Sequence, residues 1–291
     1  MRWPQQSGSD HHSGQLIPDR KEKTVQTMFS AIAHRYDLNN SLLSLGWHYA
    51  WKRKVAQIAR MKEEMTALDL CTGTADIAIL LARQARSHHG APYRKSEGLA
   101  LPARARGVGA SEDQHLGSPH GPPYRKGQGR VIALDLNERM LTLGRKKIAG
   151  QGLNDQITCL RGHAEWLQFK DHSFDLVTVA FGIRNLDDIH RAFAEIYRVL
   201  KPEGRLICLE FSRPLSRWLR RLYDFYSFKL LPYIGTAISG DKTGIYRYLP
   251  ASIRQFPDQE GLKQMLHDVG FRKVEYINLT GGIVAIHVGS R

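Results

Sequence analysis

Apolar positions along the chain follow two rhythms. Val25, Met28, Phe29 and Ile32 recur at helical spacing within residues 24–61, and a second helical segment runs from about Trp47 to Met61. From Thr66 onward the pattern becomes a series of short apolar runs: TALDLC (66–71), RVIALD (130–135), QITCLRG (156–162), FDLVTVAF (174–181) and GRLICLEF (204–211). These runs are nearly continuous rather than alternating, as in strands covered by helices on both faces. Helix-like or loop stretches separate them, which predicts a parallel sheet with crossover helices, preceded by N-terminal helices. KVEYINL (273–279) and IVAIHVG (283–289) flank Gly281 and Gly282, a pairing favoured in tight turns. The sheet is therefore expected to end in an antiparallel hairpin.

Ser87 to Gln128 breaks the rhythm. This stretch is dense in Gly, Pro, Arg and His with no sustained apolar period, so it reads as a disordered basic insertion. Within it, residues 87–98 and 118–129 agree at eight of twelve positions with an offset of 31. That is a short duplication, too few copies for a solenoid. Residues 1–19 are polar, lack the apolar core of a secretory signal and read as a disordered tail. Residues 20–291 remain as a single domain.

Composition narrows the classes. The 291 residues suffice for a full core, and 42 Lys and Arg against 28 Asp and Glu leave a net charge of +14. Such a charge suits an anionic partner: nucleic acid, a phosphate-rich ligand or a negatively charged membrane face. Cys71, Cys159 and Cys208 are far apart among apolar residues, with no metal-ligand spacing, which points to a reducing compartment and no metal. No apolar run reaches the roughly 20 residues of a membrane-spanning helix, and the expected location is cytoplasmic.

The densest chemical signal is ALDLCTGTADIAILLAR (67–83): an apolar strand ending in Asp69, a short turn with Thr72, Gly73 and Thr74, then a helix from about Ala75 that carries Asp76. A turn of small residues lets a ligand approach the backbone at the carboxyl end of a parallel strand. Asp135 ends the next strand, where a carboxylate can accept both hydroxyls of a ribose. The turn lacks the glycine pattern that carries a pyrophosphate onto a helix N-terminus. Asp69 and Asp76 near the ligand suit a cationic amino-acid-bearing nucleoside, S-adenosyl-L-methionine (AdoMet), better than a dinucleotide. An ordinary strand-to-helix turn is the plain alternative.

With these blocks in view, the sequence resembles the ubiquinone/menaquinone biosynthesis C-methyltransferases. The resemblance spans about Val25 to Val288 outside the insertion and rests on AHRYDLNNSLLSLGWHYAWKR (33–53), TGTAD with ALD, FGIRNLDD with RVLKPEGRLICLEFSRP, and YRYLPASIRQFPDQEGL (246–262). It implies a class I AdoMet-dependent methyltransferase fold, an α/β Rossmann-like architecture with a seven-stranded sheet. It also implies AdoMet as cofactor and methylation of a ring carbon of a prenylated quinol. By motif, Thr74 falls at the family's cofactor-contact threonine, Asp135 at its ribose acid, and His163 and Ala164 at the pair bordering adenine. His163 departs from the Asn common there. The turn is most similar to menaquinone-type members, which points to demethylmenaquinol as substrate, with the benzoquinol of ubiquinone biosynthesis as the alternative.

Arg184 and Asn185 are the first candidates for the catalytic role, Arg184 acting by field stabilisation or water orientation because it is too basic for a general base. The same residues also fit a helix-entry turn with Asn185 as N-cap. Tyr36, Asp37 and Asn40 are candidates for a quinone lid, and Tyr246 and Tyr248 for the apolar pocket. Glu210, at a strand end, is read as orienting neighbouring loops. In residues 213–235, Leu219, Leu222, Tyr223, Tyr226 and Leu230 recur at helical spacing beside Arg217, Arg220, Arg221 and Lys229. That pattern suits an interfacial helix making transient contact with the inner membrane face, a cover helix, or both. An RNA methyltransferase and a noncatalytic AdoMet-binding scaffold are the rivals; no RNA-binding module is present, so no nucleic-acid partner is expected. Homo-oligomer formation stays open.

Overall fold

The structure is a computed structural model that describes residues 20–33, 40, 41, 44, 46–87, 130–233, 236 and 244–291. The tail at 1–19, the insertion beyond Ser87, and the Tyr36 and Asp37 candidates lie outside the described residues.

Two helices, α1 (Arg20–Ile32) and α2 (Trp47–Ala59), precede β1 (Thr66–Leu70). Then follow α3 (Asp76–Ser87), β2 (Arg130–Asp135), α4 (Glu138–Ala149), β3 (Ile157–Arg161), β4 (Phe174–Ala180), α5 (Ile189–Val199) and β5 (Leu200–Phe211). The chain ends with α6 (Arg217–Phe225), α7 (Ile245–Gln255), α8 (Gln259–Val269), β6 (Arg272–Leu279) and β7 (Val284–Ser290). One seven-stranded sheet has the order β3-β2-β1-β4-β5-β7-β6. Strands β1 to β5 are mutually parallel where they pair, and β7 is antiparallel to both β5 and β6.

Both faces of the sheet are covered, which is why the strand runs are continuously apolar. Ala67, Val131, Ala133 and Ile207 pack on one side with Trp51 and Val55 of α2 and Leu81 of α3. Leu68, Leu70, Leu134 and Leu206 pack on the other with Phe193 and Ile196 of α5 and Leu266 of α8. Adjacent residues of one strand thus feed opposite cores, each large side chain contributing about 2 kcal/mol of burial. The Gly281–Gly282 turn is confirmed: both residues have positive φ, 66° and 91°, and Leu279 pairs with Val284 across the hairpin. β5 begins earlier than its apolar run, at Leu200, because the Lys201–Gly204 stretch bulges between the Phe174–Leu200 and Leu176–Arg205 pairs.

The helix-entry alternative for Asn185 is corrected. Ile183–Asn185 form a short 3-10 turn, and the N-cap of α5 is Asp188, whose side chain accepts from the Arg191 N–H at 2.9 Å. Asn185 stands three positions before that cap, which leaves its amide for other partners.

One side chain with two jobs, Asn137, joins α1 to the start of α4, beside a longer bond from Arg139 Nη1 to the Ser30 carbonyl at 3.4 Å. Asn137 caps α4 by accepting from the N–H groups of Arg139 and Met140 at 3.1 and 3.2 Å. Its Nδ2 donates to the Gln26 carbonyl at 3.2 Å and to Ser30 Oγ at 2.8 Å. Asn137→Asp keeps the cap and removes both donors. In hydrogen exchange, α1 should lose about 1 kcal/mol of protection while α4 is unchanged; equal protection of α1 in both proteins would refute the latch.

Candidate active site

Strand order reverses beside β1, which lies between β2 and β4, so the sheet opens at the carboxyl ends of these strands. The chain leaves β1 through a turn in which Cys71, Gly73 and Ala75 all have positive φ, 51°, 58° and 65°. Two of these are not glycine, a strain of roughly 1–3 kcal/mol each that surrounding contacts must offset. Hydrogen bonds do so. The Thr72 N–H donates to the Leu134 carbonyl at 3.1 Å and the Gly73 N–H to Asp135 Oδ2 at 2.8 Å. Below the turn, Asp69 accepts from Thr72 Oγ1 at 2.5 Å and Thr178 Oγ1 at 2.7 Å. Gly182 closes against the turn from β4, where an added Cβ would stand 2.3 Å from Cys71 Cβ.

Three cavities meet here, and Phe181 lines all of them. The first, about 110 Å³, gathers Gly73, Asp135, His163, Ala164 and Asn185, with Val25 and Phe29 of α1 above. Asp135 is its polar centre: Oδ1 accepts the Asn137 N–H at 2.8 Å while Oδ2 takes Gly73. Burial pushes its carboxyl above the usual range and these N–H groups pull it back. Each oxygen keeps a second acceptor site, enough for a diol. His163 Nδ1 accepts the Glu165 N–H at 3.2 Å, and its ring meets Trp166 edge-on at 4.6 Å. The His in place of Asn is thereby fixed by its own loop.

The second cavity is larger, about 540 Å³, and mostly apolar. Asn40, Arg184, Tyr246 and Tyr248 line it, together with Trp51 of α2. Leu219, Leu222, Tyr223, Tyr226 and Leu230, the stripe seen in the sequence, form its far wall, while Trp218 and Tyr233 beside them are 72% and 80% exposed. At its inner end Arg184 Nη1 donates to the Phe181 carbonyl at 2.7 Å and to Glu210 Oε1 at 2.6 Å. Asn185 Nδ2 reaches the same carbonyl at 3.3 Å, and Tyr248 Oη donates to Asn185 Oδ1 at 3.1 Å. This network fixes Phe181, itself at φ 56°, between the two cavities.

The third cavity, about 20 Å³, brings together Asp69, Thr72, Gly73, Thr74 and Asp76. Here one expectation changes. Asp76 does not offer an uncompensated carboxylate to a cationic ligand: Lys52 Nζ sits 2.7 Å from Oδ2 and Lys147 Nζ 2.9 Å from Oδ1. Burial alone would raise the Asp76 carboxyl, and the two lysines outweigh it and hold it below the ordinary range. Lys147 also donates to Thr74 Oγ1 at 2.9 Å, and Thr74 is buried. Asp69 is left as the carboxylate without a cation bonded to it among the described residues.

Sequence reasoning passed over Phe181, Lys52, Lys147 and Asn137. The two lysines reach Asp76 from 24 positions before it and 71 after it, a separation no local pattern reveals. Phe181 had a signal, as the residue immediately after β4, but its left-handed backbone depends on Arg184 and Asn185.

A family model described as the ubiE/COQ5 methyltransferase family matches residues 17–291. The chain is 40% identical to the mitochondrial 2-methoxy-6-polyprenyl-1,4-benzoquinol methylase of Danio rerio, over 97% of this chain and 84% of that protein. It is 39% identical to the ubiquinone/menaquinone biosynthesis C-methyltransferase UbiE of Pectobacterium carotovorum subsp. carotovorum, over 99% of each. Among solved structures, a SAM-dependent methyltransferase of Thermotoga maritima superposes with a TM-score of 0.54 at 18% identity, over 91% of this chain and 98% of that one. That likeness concerns the fold.

The environment of Asp69 makes a prediction. Burial lifts its carboxyl from 3.8 to about 6 against the pull of the two threonine hydroxyls. The folded protein therefore holds this proton more tightly than the unfolded chain, so the associated stability is full below pH 4 and is lost as pH rises to about 6. Relative to Asp69→Asn, the ligand-free wild type should lose on the order of 3 kcal/mol across that window in urea denaturation. A difference that stays flat with pH would show that Asp69 titrates normally.

Proposed function

The chain belongs to the ubiE/COQ5 methyltransferase family, and from that premise we propose that it methylates a ring carbon of a prenylated quinol, demethylmenaquinol in the first instance. The observation that carries this reading is the meeting at Phe181 of a small cavity centred on a carboxylate and a large apolar one with a polar inner end.

The first cavity fits AdoMet, the cofactor of this family and fold. Asp135 offers acceptor sites suited to ribose hydroxyls, His163 and Ala164 border the base, and Gly73 allows close backbone approach. Asp69 places a buried carboxylate near the cationic end. Bound there, AdoMet supplies an electrophilic methyl group.

The chain's own contribution is placement and field. The large cavity takes an apolar tail along Leu219, Leu222 and Leu230 and leaves a ring at the inner end, facing Arg184 and Tyr248. The Arg184 guanidinium favours the quinolate oxygen over the neutral quinol, which raises electron density at the ring carbons. Tyr248 and Asn185 orient the ring, and the aromatic wall of Trp51, Phe181 and Phe211 excludes water. No nucleophilic side chain is needed.

The test is methyl transfer from labelled AdoMet to reduced demethylmenaquinone in detergent, with a demethylated benzoquinol and bulk RNA in parallel. Naphthoquinol product is expected. Product from the benzoquinol alone would move the reading to the ubiquinone step, and labelled RNA without quinol product would overturn it.

The same cavity opens beside exposed Leu215, Trp218, Phe225 and Tyr233, with Arg217, Arg220 and Arg221 interspersed. No helix among the described residues is long and apolar enough to cross a membrane. Surface contact with anionic lipid is the route we propose for a lipid-borne substrate. Replacing Trp218 and Phe225 with Ser should weaken binding to anionic vesicles in co-sedimentation at least about a hundredfold, the order expected from losing two buried aromatics at about 1.5 kcal/mol or more each, with AdoMet affinity unchanged. Undiminished vesicle binding would reject this surface.

A further inference from the structure

Charged side chains line all three cavities: Lys52 and Arg184 against Asp69, Asp76, Asp135, Glu165 and Asp187, with Lys147 and Glu210 bonded behind them. Both lysines are committed to Asp76. Arg184 is committed to Glu210, and this pair is the most deeply buried of the set, with side-chain exposures of 4% and 1%. Glu210 Oε1 accepts Arg184 Nη1 at 2.6 Å and the Phe211 N–H at 2.8 Å. Arg184 lines the large cavity, whereas Glu210 stands behind it and lines none of the three.

A sulfonium and a guanidinium both keep their charge at any working pH, so placing them at one junction incurs repulsion that solvent does not screen in a buried site. The ligand also changes charge during the reaction: the cofactor enters as a sulfonium, and the product is a neutral thioether. We propose that Glu210 is a positioning residue whose role is to cancel the Arg184 charge, so that a cationic sulfonium can occupy the junction beside it. This rests on the cofactor placement given under Proposed function.

Burial pushes the Glu210 carboxyl up, while Arg184 and the Phe211 N–H pull it down. A guanidinium this deeply buried requires a counter-charge, and the Glu210 carboxylate at 2.6 Å is the group placed to supply it. Glu210 therefore does its work without touching substrate.

The test compares two ligands of nearly the same shape, AdoMet and S-adenosylhomocysteine, which differ by one methyl and one positive charge. In calorimetry, Glu210→Gln keeps an acceptor for Phe211 and Arg184 but removes the charge. Its affinity for AdoMet should fall roughly tenfold, with S-adenosylhomocysteine changing by less than about twofold. Joint replacement, Arg184→Gln with Glu210→Gln, should return the ratio of the two affinities to the wild-type value. Should Glu210→Gln lose its fold, Arg184→Gln alone carries the test: as pH is raised and the lone Glu210 carboxyl ionises, the ratio should move in favour of AdoMet. Equal loss of both ligands in Glu210→Gln, or no change in either, overturns the proposal. Asp135→Ala serves as the control, lowering both affinities together; if it changes neither, the cofactor placement is at fault and not the role of Glu210.

Discussion

Reversing the strand order beside β1 leaves a gap at the carboxyl end of the sheet, and every polar group facing that gap must find a partner without filling it. The chain solves this with side chains anchored below the gap. Asp69 collects two threonine hydroxyls, Asp135 collects two backbone N–H groups, and Arg184 takes the Phe181 carbonyl. Each anchor leaves its far side open to a ligand. The cavities persist because the groups named are bonded below them, although Arg184 Nε and Glu210 Oε2 stay buried without a hydrogen-bond partner among the described residues.

This arrangement concentrates unfavourable terms at one place: left-handed backbone at Cys71, Ala75 and Phe181, and carboxyls lifted by burial at Asp69, Asp135 and Glu210. Such terms persist only where the rest of the fold over-determines the local geometry. The two interleaved cores supply that, with Leu68, Leu70, Val177 and Val179 fully or almost fully buried under the junction. Binding a cation there relieves some of the strain, since a nearby positive charge favours the ionised form of each lifted carboxyl.

What could be read from the sequence was what depends on neighbours in the chain. The strands were legible because both faces are buried, the hairpin because Gly281 and Gly282 tolerate positive φ, and the cofactor turn because small residues follow an acid-bearing strand. Asp135, His163 and Ala164 line one cavity and Arg184, Tyr246 and Tyr248 the other, whereas Asn185, expected beside Arg184 on the substrate side, lines the first. The occupancy of Asp76 was not legible, because an acid at a helix start looks the same whether it meets a ligand or two lysines. Nor was the Arg184–Glu210 pairing, which spans 26 positions and two strands of the sheet; strand-end position suggested only that Glu210 orients something.

The placement of the long insertion follows from the same geometry. α3 ends at Ser87 and β2 begins at Arg130, whose N–H donates to the Met65 carbonyl just before β1. That contact belongs to the amino end of the sheet, while Asp135 and the turn at Gly73 lie at the carboxyl end. Loop length between two such ends adds little free energy, about 0.6 kcal/mol per doubling. The register of β2 is set instead by five pairs to β1, Thr66–Arg130 through Leu70–Leu134. Once that ladder closes, Asp135 arrives opposite Gly73 however many residues intervene.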